Sequence, residues 1–199
     1  MELFDIPPQT LEMPDAEVVY FPRFFAEKAA NHYFDILFEE TPWQQDDIRV
    51  FGKVYPQPRL TALYGNNGKP YSYSNITMQP ERFTETLNEI KALVEQVAQT
   101  SFTTALLNLY RDGTDSNGWH ADDEKELGTD PVIASISLGA TRRFHFKHKH
   151  DKDLKQKLLL DHGSLLLMKG PTQHHWLHQL PKTAKKIDPR INITFRVIK

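Results

Sequence analysis

The closing stretch "PRINITFRVIK", residues 189–199, alternates apolar and polar side chains in the pattern of a β-strand. Residues two apart on a strand point to the same side, so its polar residues share one face. That face carries Arg190, Asn192, Thr194 and Arg196. Burying two charged arginine side chains inside a barrel costs folding free energy unless they pair with an anion. A dicarboxylate could accept hydrogen bonds from both guanidinium groups. The alternative is an exposed edge strand whose arginines point to water.

Four further runs upstream of this stretch predict short strands separated by turn residues. They are "FTTALLNLY" (102–110), "PVIASISL" (131–138), "RRFHFKHK" (142–149) and "GSLLLMKG" (163–170). Many short strands at close spacing indicate a barrel or a sandwich. Two helices precede them. Residues 80–98 carry an apolar stripe at helical spacing, and residues 25–40 carry a second one.

Composition limits the chemistry and the class of protein. The 199 residues include no cysteine, which excludes thiolate ligands and a cysteine nucleophile, so any metal site must use His, Asp or Glu. The formal net charge of −2 argues against a generic nucleic-acid coat protein. Residues 1–47 contribute −9 and residues 48–199 contribute +7. The basic excess is densest in residues 142–157, which form either a solvated face or a rim that contacts phosphates.

The stretch "NGWHADDEKE", residues 117–126, raises the question of a metal site. On a strand, His120 and Asp122 would present an imidazole and a carboxylate to one ion. With a distant histidine they would form the ligand set of non-haem Fe(II) sites that keep positions open for substrate and oxygen. A charged surface loop is the alternative. The candidates for the third ligand are His145, His148, His150, His162, His174, His175 and His178.

Three motifs taken together, "NLYRDG…WHADDE", "SLLLMKGPTQHHWLHQLP" and "PRINITFR", resemble the AlkB family of Fe(II)- and 2-oxoglutarate-dependent dioxygenases. The resemblance covers residues 48–198 and is strongest to the branch that acts on duplex DNA. It implies a mainly β fold, a double-stranded β-helix (jelly roll) with two supporting α-helices and a nucleotide-recognition lid. It also implies oxidative demethylation of N-alkylated bases such as 1-methyladenine and 3-methylcytosine, with release of succinate, CO2 and formaldehyde.

The resemblance assigns roles residue by residue. His120, Asp122 and His178 match the iron ligands, which leaves His174 and His175 supporting or structural roles. Residues that match contacts to 2-oxoglutarate are Asn108, Tyr110, Arg190, Asn192 and Arg196. Arg190 matches the partner of the distal carboxylate, and Arg196 matches the arginine near the iron-binding end.

The substrate side follows from the same resemblance. Asp123 and Glu124 match an acidic pair beside the flipped base, where a carboxylate can accept a hydrogen bond from an exocyclic amine, while Lys125 and Glu126 are expected to belong to a solvated loop. Tyr71, Tyr73 and Ser74 match the lid that holds the base by aromatic stacking. Phe51 in "VFGK" resembles a finger that wedges into the duplex, or else it is a buried strand residue. The candidates for phosphate contacts are Arg59, Arg142, Arg143, Lys147 and Lys149.

These patterns predict one dioxygenase domain over residues 1–199. Within it we expect an N-terminal arm at 1–20, poorly ordered or wrapping, a recognition lid at 48–80 and the catalytic jelly roll at 100–198. We expect DNA, or RNA, as the macromolecular partner, a monomer without membrane attachment, and a cytoplasmic location. The alternatives are the same oxygenase chemistry on RNA, protein or lipid, and a catalytically silent nucleic-acid-binding module.

Overall fold

Two antiparallel sheets form the frame of the protein, for which a computed structural model describes residues 6–50, 53–68, 71–73 and 76–198. The larger sheet has seven strands in the order β1-β2-β13-β10-β15-β8-β5. These are β1 (Gln9–Thr10), β2 (Glu17–Phe21), β5 (Leu60–Gly65), β8 (Thr104–Tyr110), β10 (Ile133–Gly139), β13 (Ser164–Lys169) and β15 (Arg190–Arg196).

The smaller sheet has four strands in the order β12-β11-β14-β9. These are β9 (Asn117–His120), β11 (Arg142–His148), β12 (Lys155–Leu160) and β14 (Trp176–Leu180). Its inner face packs on the larger sheet through one apolar cluster, in which Phe146 and Trp176 meet Leu106 and Leu166. Two hairpins lie outside these sheets: β3 (Asp47–Val50) with β4 (Lys53–Pro56), and β6 (Tyr71–Tyr73) with β7 (Ile76–Met78).

The two predicted helices cover the outer face of the larger sheet. Helix α2 (Glu85–Ala98) begins where the Thr84 side chain accepts a hydrogen bond from the Leu87 amide at 3.2 Å. Its buried stripe and that of α1 (Glu27–Glu40) belong to the same cluster as the apolar side chains of β8 and β15. A one-turn helix, α3 (Thr172–His175), joins β13 to β14. Among the described residues, no helix is long and apolar enough to span a membrane.

The mainly β jelly-roll prediction with two supporting helices is confirmed, but its internal boundaries are wrong in two places. Residues 17–20 belong to strand β2, which pairs with β13, so this part of the predicted arm is sheet. Strand β5 pairs with β8, which removes residues 60–65 from the predicted lid. Both segments are apolar enough to extend the larger sheet beyond the strands that follow residue 100. Strands β12 and β14 were also missing from the prediction.

Candidate metal centre and anion pocket

His120, Asp122 and His178 converge between the two sheets. One ligand atom from each residue lies within 4.8 Å of those of the other two. His120 and His178 are register partners on β9 and β14, and their ring centroids are 4.2 Å apart. Asp122 lies beyond the end of β9, and its Oδ2 is 3.7 Å from His178 Nε2. The strand-spacing argument for this pair is therefore wrong in detail, because a loop and not a strand brings the carboxylate to the histidines.

The protonation states suit metal ligation. His120 Nδ1 lies 2.8 Å from the carbonyl oxygen of Gly118, which can only accept, so the ring proton is on Nδ1 and the Nε2 lone pair accepts from Asn117 Nδ2 at 3.2 Å in the absence of a metal. Burial lowers the pKa of His178 to about 3, which keeps that imidazole neutral. Burial alone would raise the pKa of Asp122, but Arg196 and the two histidines outweigh it and hold the pKa below its usual range.

Arginine side chains dominate the other side of the same cavity. Arg190 is buried, and its Nη2 donates a hydrogen bond to Ser137 Oγ at 2.8 Å. Its Nε has no acceptor among the described residues. Burial lowers the pKa of Arg190 to about 10. Arg196 Nη2 donates to Asp122 Oδ1, so one buried ion pair links the larger sheet to the metal-ligand candidates. A buried guanidinium with an unused N–H group is a site for an anion.

The residues predicted to contact 2-oxoglutarate line this cavity as register pairs. Asn108 lies opposite Asn192, and Tyr110 lies opposite Arg190. The Asn108 amide donates to Asn192 Oδ1 at 3.4 Å, and Asn192 in turn donates to Ser135 Oγ at 2.8 Å. All five predicted cosubstrate residues contribute to the wall of one cavity together with the three metal-ligand candidates.

Sequence reasoning missed one residue that contacts the metal-ligand loop directly. Gln173 in α3 is fully buried, and its Oε1 accepts a hydrogen bond from the Asp122 amide at 2.9 Å. Gln173 does not line the cavity; the residues of its wall that the sequence did not assign to the site include Leu106, Asn117, Ser135, Phe144, Met168 and Leu180. Phe144 stacks against His178 with ring centroids 5.3 Å apart. Phe144 and Phe146 alternate with polar residues along β11 and are buried, whereas no local signal identifies Gln173.

A second group of possible ligands, Asp15, His148 and His175, lies outside this cavity. His148 Nδ1 accepts hydrogen bonds from the amides of His150 and Asp151, at 3.3 and 3.0 Å. A neutral His148 therefore carries its proton on Nε2, the nitrogen that faces Asp15 at 3.7 Å. That tautomer presents no lone pair on Nε2 to a metal.

Comparisons with known proteins give the family. A family profile described as "2OG-Fe(II) oxygenase superfamily" matches residues 17–196. The chain belongs to this superfamily. Mouse "Alpha-ketoglutarate-dependent dioxygenase alkB homolog 3" is 41% identical over 192 residues, which are 92% of this chain and 66% of that protein. Human "DNA oxidative demethylase ALKBH2" is 42% identical over 158 residues, which are 76% of this chain and 60% of that protein.

The resemblance to AlkB-like oxygenases of the DNA-repair branch is thus confirmed at the level of family. The chain spans just under two thirds of the length of the alkB homolog 3 relatives. The solved structure of OsALKBH1 matches with a TM-score of 0.64 at 17% identity, over 96% of this chain and 100% of that one, and supports the fold alone.

The donor set fits the two groups in the superfamily's name. Two neutral imidazoles and a carboxylate are the facial ligands that Fe(II) oxygenases use. The unused Nε of Arg190 and the polar strand face around it fit a carboxylate of 2-oxoglutarate. The cofactor prediction, Fe(II) with 2-oxoglutarate as cosubstrate, agrees with the family. The assignment of each individual residue stays a prediction.

The residues predicted to contact the flipped base do not converge as the metal-ligand candidates do. Asp123 is exposed and pairs with Lys149 at 2.9 Å. Neither Asp123 nor Glu124 is among the residues that line the cavity. Tyr71 and Tyr73 lie on β6, while Phe51 and Ser74 lie outside the described residues, so their roles stay predictions. His174 pairs with Asp130 at 2.9 Å, and His175 stacks on His148, so both histidines point away from the cavity.

Two of the five predicted phosphate contacts, Arg59 and Arg142, are buried away from the surface, while the contacts predicted for Arg143, Lys147 and Lys149 stay predictions. Arg59 is buried, and its Nε donates to Asn108 Oδ1 at 2.8 Å, which makes it part of the cavity wall. Arg142 is buried and donates to the carbonyl oxygens of Asp115 and Pro181. The Lys149 ammonium is already held by Asp123 and by the carbonyl oxygen of Gln173. Arg143 is exposed, and Lys147 lies 4.4 Å above the ring of Trp119, which is 39% exposed.

Proposed function

We propose that this protein is an Fe(II)- and 2-oxoglutarate-dependent dioxygenase that removes methyl groups from N-alkylated bases in DNA, with 1-methyladenine and 3-methylcytosine as substrates. The observation that carries the proposal is the convergence of His120, Asp122 and His178 with Arg190 in one buried cavity. The relatives named as DNA oxidative demethylases support DNA as the substrate class.

The protein's own contribution is binding and orientation. His120 Nε2, His178 Nε2 and a carboxylate oxygen of Asp122 would hold the iron. Arg190 would pair with one carboxylate of the cosubstrate, while the amides of Asn108 and Asn192 would fix its orientation. When bound, Fe(II) with 2-oxoglutarate and O2 oxidises the N-methyl group, which leaves as formaldehyde, while the cosubstrate leaves as succinate and CO2.

Both sheets also supply apolar side chains beside the reacting groups. Phe144, Leu106 and Leu180 supply the apolar part of the cavity wall. An apolar wall strengthens the attraction between the arginines and the bound carboxylates. The charge of Asp122 is maintained by Arg196 at any pH near neutrality, so the metal ligand needs no deprotonation step.

The decisive assay incubates the protein with Fe(II), 2-oxoglutarate and oligonucleotides that carry 1-methyladenine or 3-methylcytosine, as single-stranded DNA, duplex DNA and RNA. Loss of the methyl group is followed by mass spectrometry. The DNA proposal predicts turnover on DNA that is abolished by His178→Ala. Succinate production without methyl loss on any strand would refute the nucleobase substrate, and turnover on RNA alone would refute DNA. The single-domain organisation, the monomeric state and the cytoplasmic location stay predictions.

A further inference from the structure

The loop that carries Asp122 and Asp123 is held from a distant element. Strand β9 ends at His120, so the sheet does not pair the residues that follow it. The Asp122 amide donates instead to the side chain of Gln173, 51 positions along the chain. The carboxylate of Asp123 accepts from Lys149 Nζ at 2.9 Å, and the same ammonium donates to the carbonyl oxygen of Gln173 at 2.8 Å. Both acidic residues are therefore tied to Gln173, one directly and one through Lys149.

The turn that carries Gln173 is itself fixed. Thr172 is buried, and its Oγ1 donates to the carbonyl oxygen of Lys169 at 2.5 Å and accepts from the Glu17 amide at 2.9 Å. The amide of Lys149 donates to the carbonyl oxygen of His175 at 2.7 Å. The turn is thereby attached to β2, β13 and the end of β11. Because this turn is attached on three sides, it can hold the loop that carries Asp122 in a fixed position.

Both ends of the Gln173 side chain are engaged. Its Oε1 accepts from Asp122, and its Nε2 lies 3.6 Å from Met168 Sδ. The side chain is completely buried, so water cannot replace it as the acceptor for the Asp122 amide. A buried carboxylate on an otherwise unpaired loop needs such a support if it is to meet two histidines and Arg196 at once.

We propose that Gln173 is a positioning residue for metal binding: it fixes the backbone at Asp122 so that the carboxylate meets His120 and His178. The inference rests on the proposed iron site and deepens it. Gln173 contacts neither the metal nor the cosubstrate in this role. Its effect passes entirely through the amide of Asp122, and Lys149 is not required for it.

Metal affinity is the direct test, measured by calorimetric titration of the full chain with Mn(II) in the presence of 2-oxoglutarate. Gln173→Met keeps the length of the side chain and removes the acceptor, and we expect Mn(II) to bind about 10–100-fold more weakly. The matched control is Gln179→Met, on the half-buried face of β14 beside His178, which should bind Mn(II) like the unaltered protein.

Hydrogen exchange of the metal-free protein gives a readout that needs no metal. The Asp122 amide should exchange faster in Gln173→Met than in the unaltered protein or in the Gln179 control. Lys149→Met should leave Mn(II) affinity unchanged, because it removes the ties to Asp123 and to the carbonyl oxygen of Gln173 but keeps the hydrogen bond from the Asp122 amide to Gln173 Oε1.

The outcomes separate this inference from the proposed function. If the unaltered protein binds no Mn(II), the iron site itself is refuted. If it binds Mn(II) and Gln173→Met binds equally well, only the positioning role fails. An equal loss of affinity in Lys149→Met would also overturn it, because the effect would then belong to the whole turn and not to the Asp122 amide.

Discussion

Replacing Arg190 by methionine should leave the stability of the ligand-free protein unchanged or raise it. The same substitution should greatly weaken cosubstrate binding. Folding lowers the pKa of this arginine from 12.5 to about 10 because the guanidinium is buried. At about 1.4 kcal/mol per pKa unit, this shift means that the charged guanidinium costs the folded state about 3 kcal/mol relative to the unfolded chain. Methionine removes that charge and fills a similar volume.

The substitution also removes the hydrogen bond from Arg190 to Ser137 Oγ. A hydrogen bond to a charged group contributes about 1.5–3 kcal/mol, which offsets part or all of the gain. The free energy of unfolding of the ligand-free variant should therefore rise by 0 to about 2 kcal/mol. For a chain of this size each kcal/mol moves Tm by about 2–4 °C, so thermal unfolding can detect the difference.

Cosubstrate binding should respond in the opposite direction. Removing one partner of a buried charge pair costs about 2 kcal/mol or more, so the affinity for 2-oxoglutarate should fall at least about 30-fold. Titration calorimetry with Mn(II) present measures this affinity without turnover. Arg143→Met, at an exposed arginine on β11, is the matched control and should change neither quantity. A large loss of ligand-free stability in the Arg190 variant, or an unchanged affinity, would refute the reasoning.

Three further perturbations test other parts of the structure. The pKa of His178 falls from 6.5 to about 3 on folding, so between these pH values the unfolded chain binds the proton and the folded one does not. Ligand-free stability should therefore decline as pH falls from 6.5 towards 3, and thermal unfolding of His178→Gln should show a shallower decline. Gly139 has φ 88°, and an added Cβ would lie 2.4 Å from the carbonyl oxygen of Pro189. Gly139→Ala should lower the free energy of unfolding by at least about 1–2 kcal/mol, whereas Gly118→Ala, where nothing lies within 4 Å of the new Cβ, should not. Phe51→Ala should reduce repair of duplex DNA more than repair of single strands, and an equal loss on both would contradict the wedge role.

Local alternation predicted that Arg190 and Asn192 share one strand face, and the family resemblance added Asn108 and Tyr110 to the same wall. Asn108 and Tyr110 share one face of β8, and Arg190 and Asn192 share one face of β15, because the two residues of each pair are two positions apart on their strand. The antiparallel register of β8 with β15 then places Asn108 opposite Asn192 and Tyr110 opposite Arg190. Side-chain alternation is a property of each strand alone, so it could be read from sequence without knowledge of which strands pair.

The errors have a common physical origin in contacts between residues that are distant in sequence. Arg59 is one of the arginines predicted to contact phosphate, but it is buried. Its burial depends on Asn108, 49 positions away, and on the carbonyl oxygen of Ser116. The support of Asp122 by Gln173 spans 51 positions and involves no charge and no periodic pattern. No local feature of the sequence distinguishes either residue from a solvated one.

Asp122 connects the two sheets electrostatically as well as being a ligand candidate. Its Oδ1 accepts from Arg196 on the larger sheet, and its Oδ2 faces His178 on the smaller one. Both Asp122 and Arg196 are buried, so loss of the carboxylate would leave a guanidinium charge in the interior. Stability and metal binding are therefore coupled at this residue, whereas His178 is neutral and leaves no buried charge when it is replaced. For that reason His178 and not Asp122 is the position at which loss of activity can be assigned to loss of the metal.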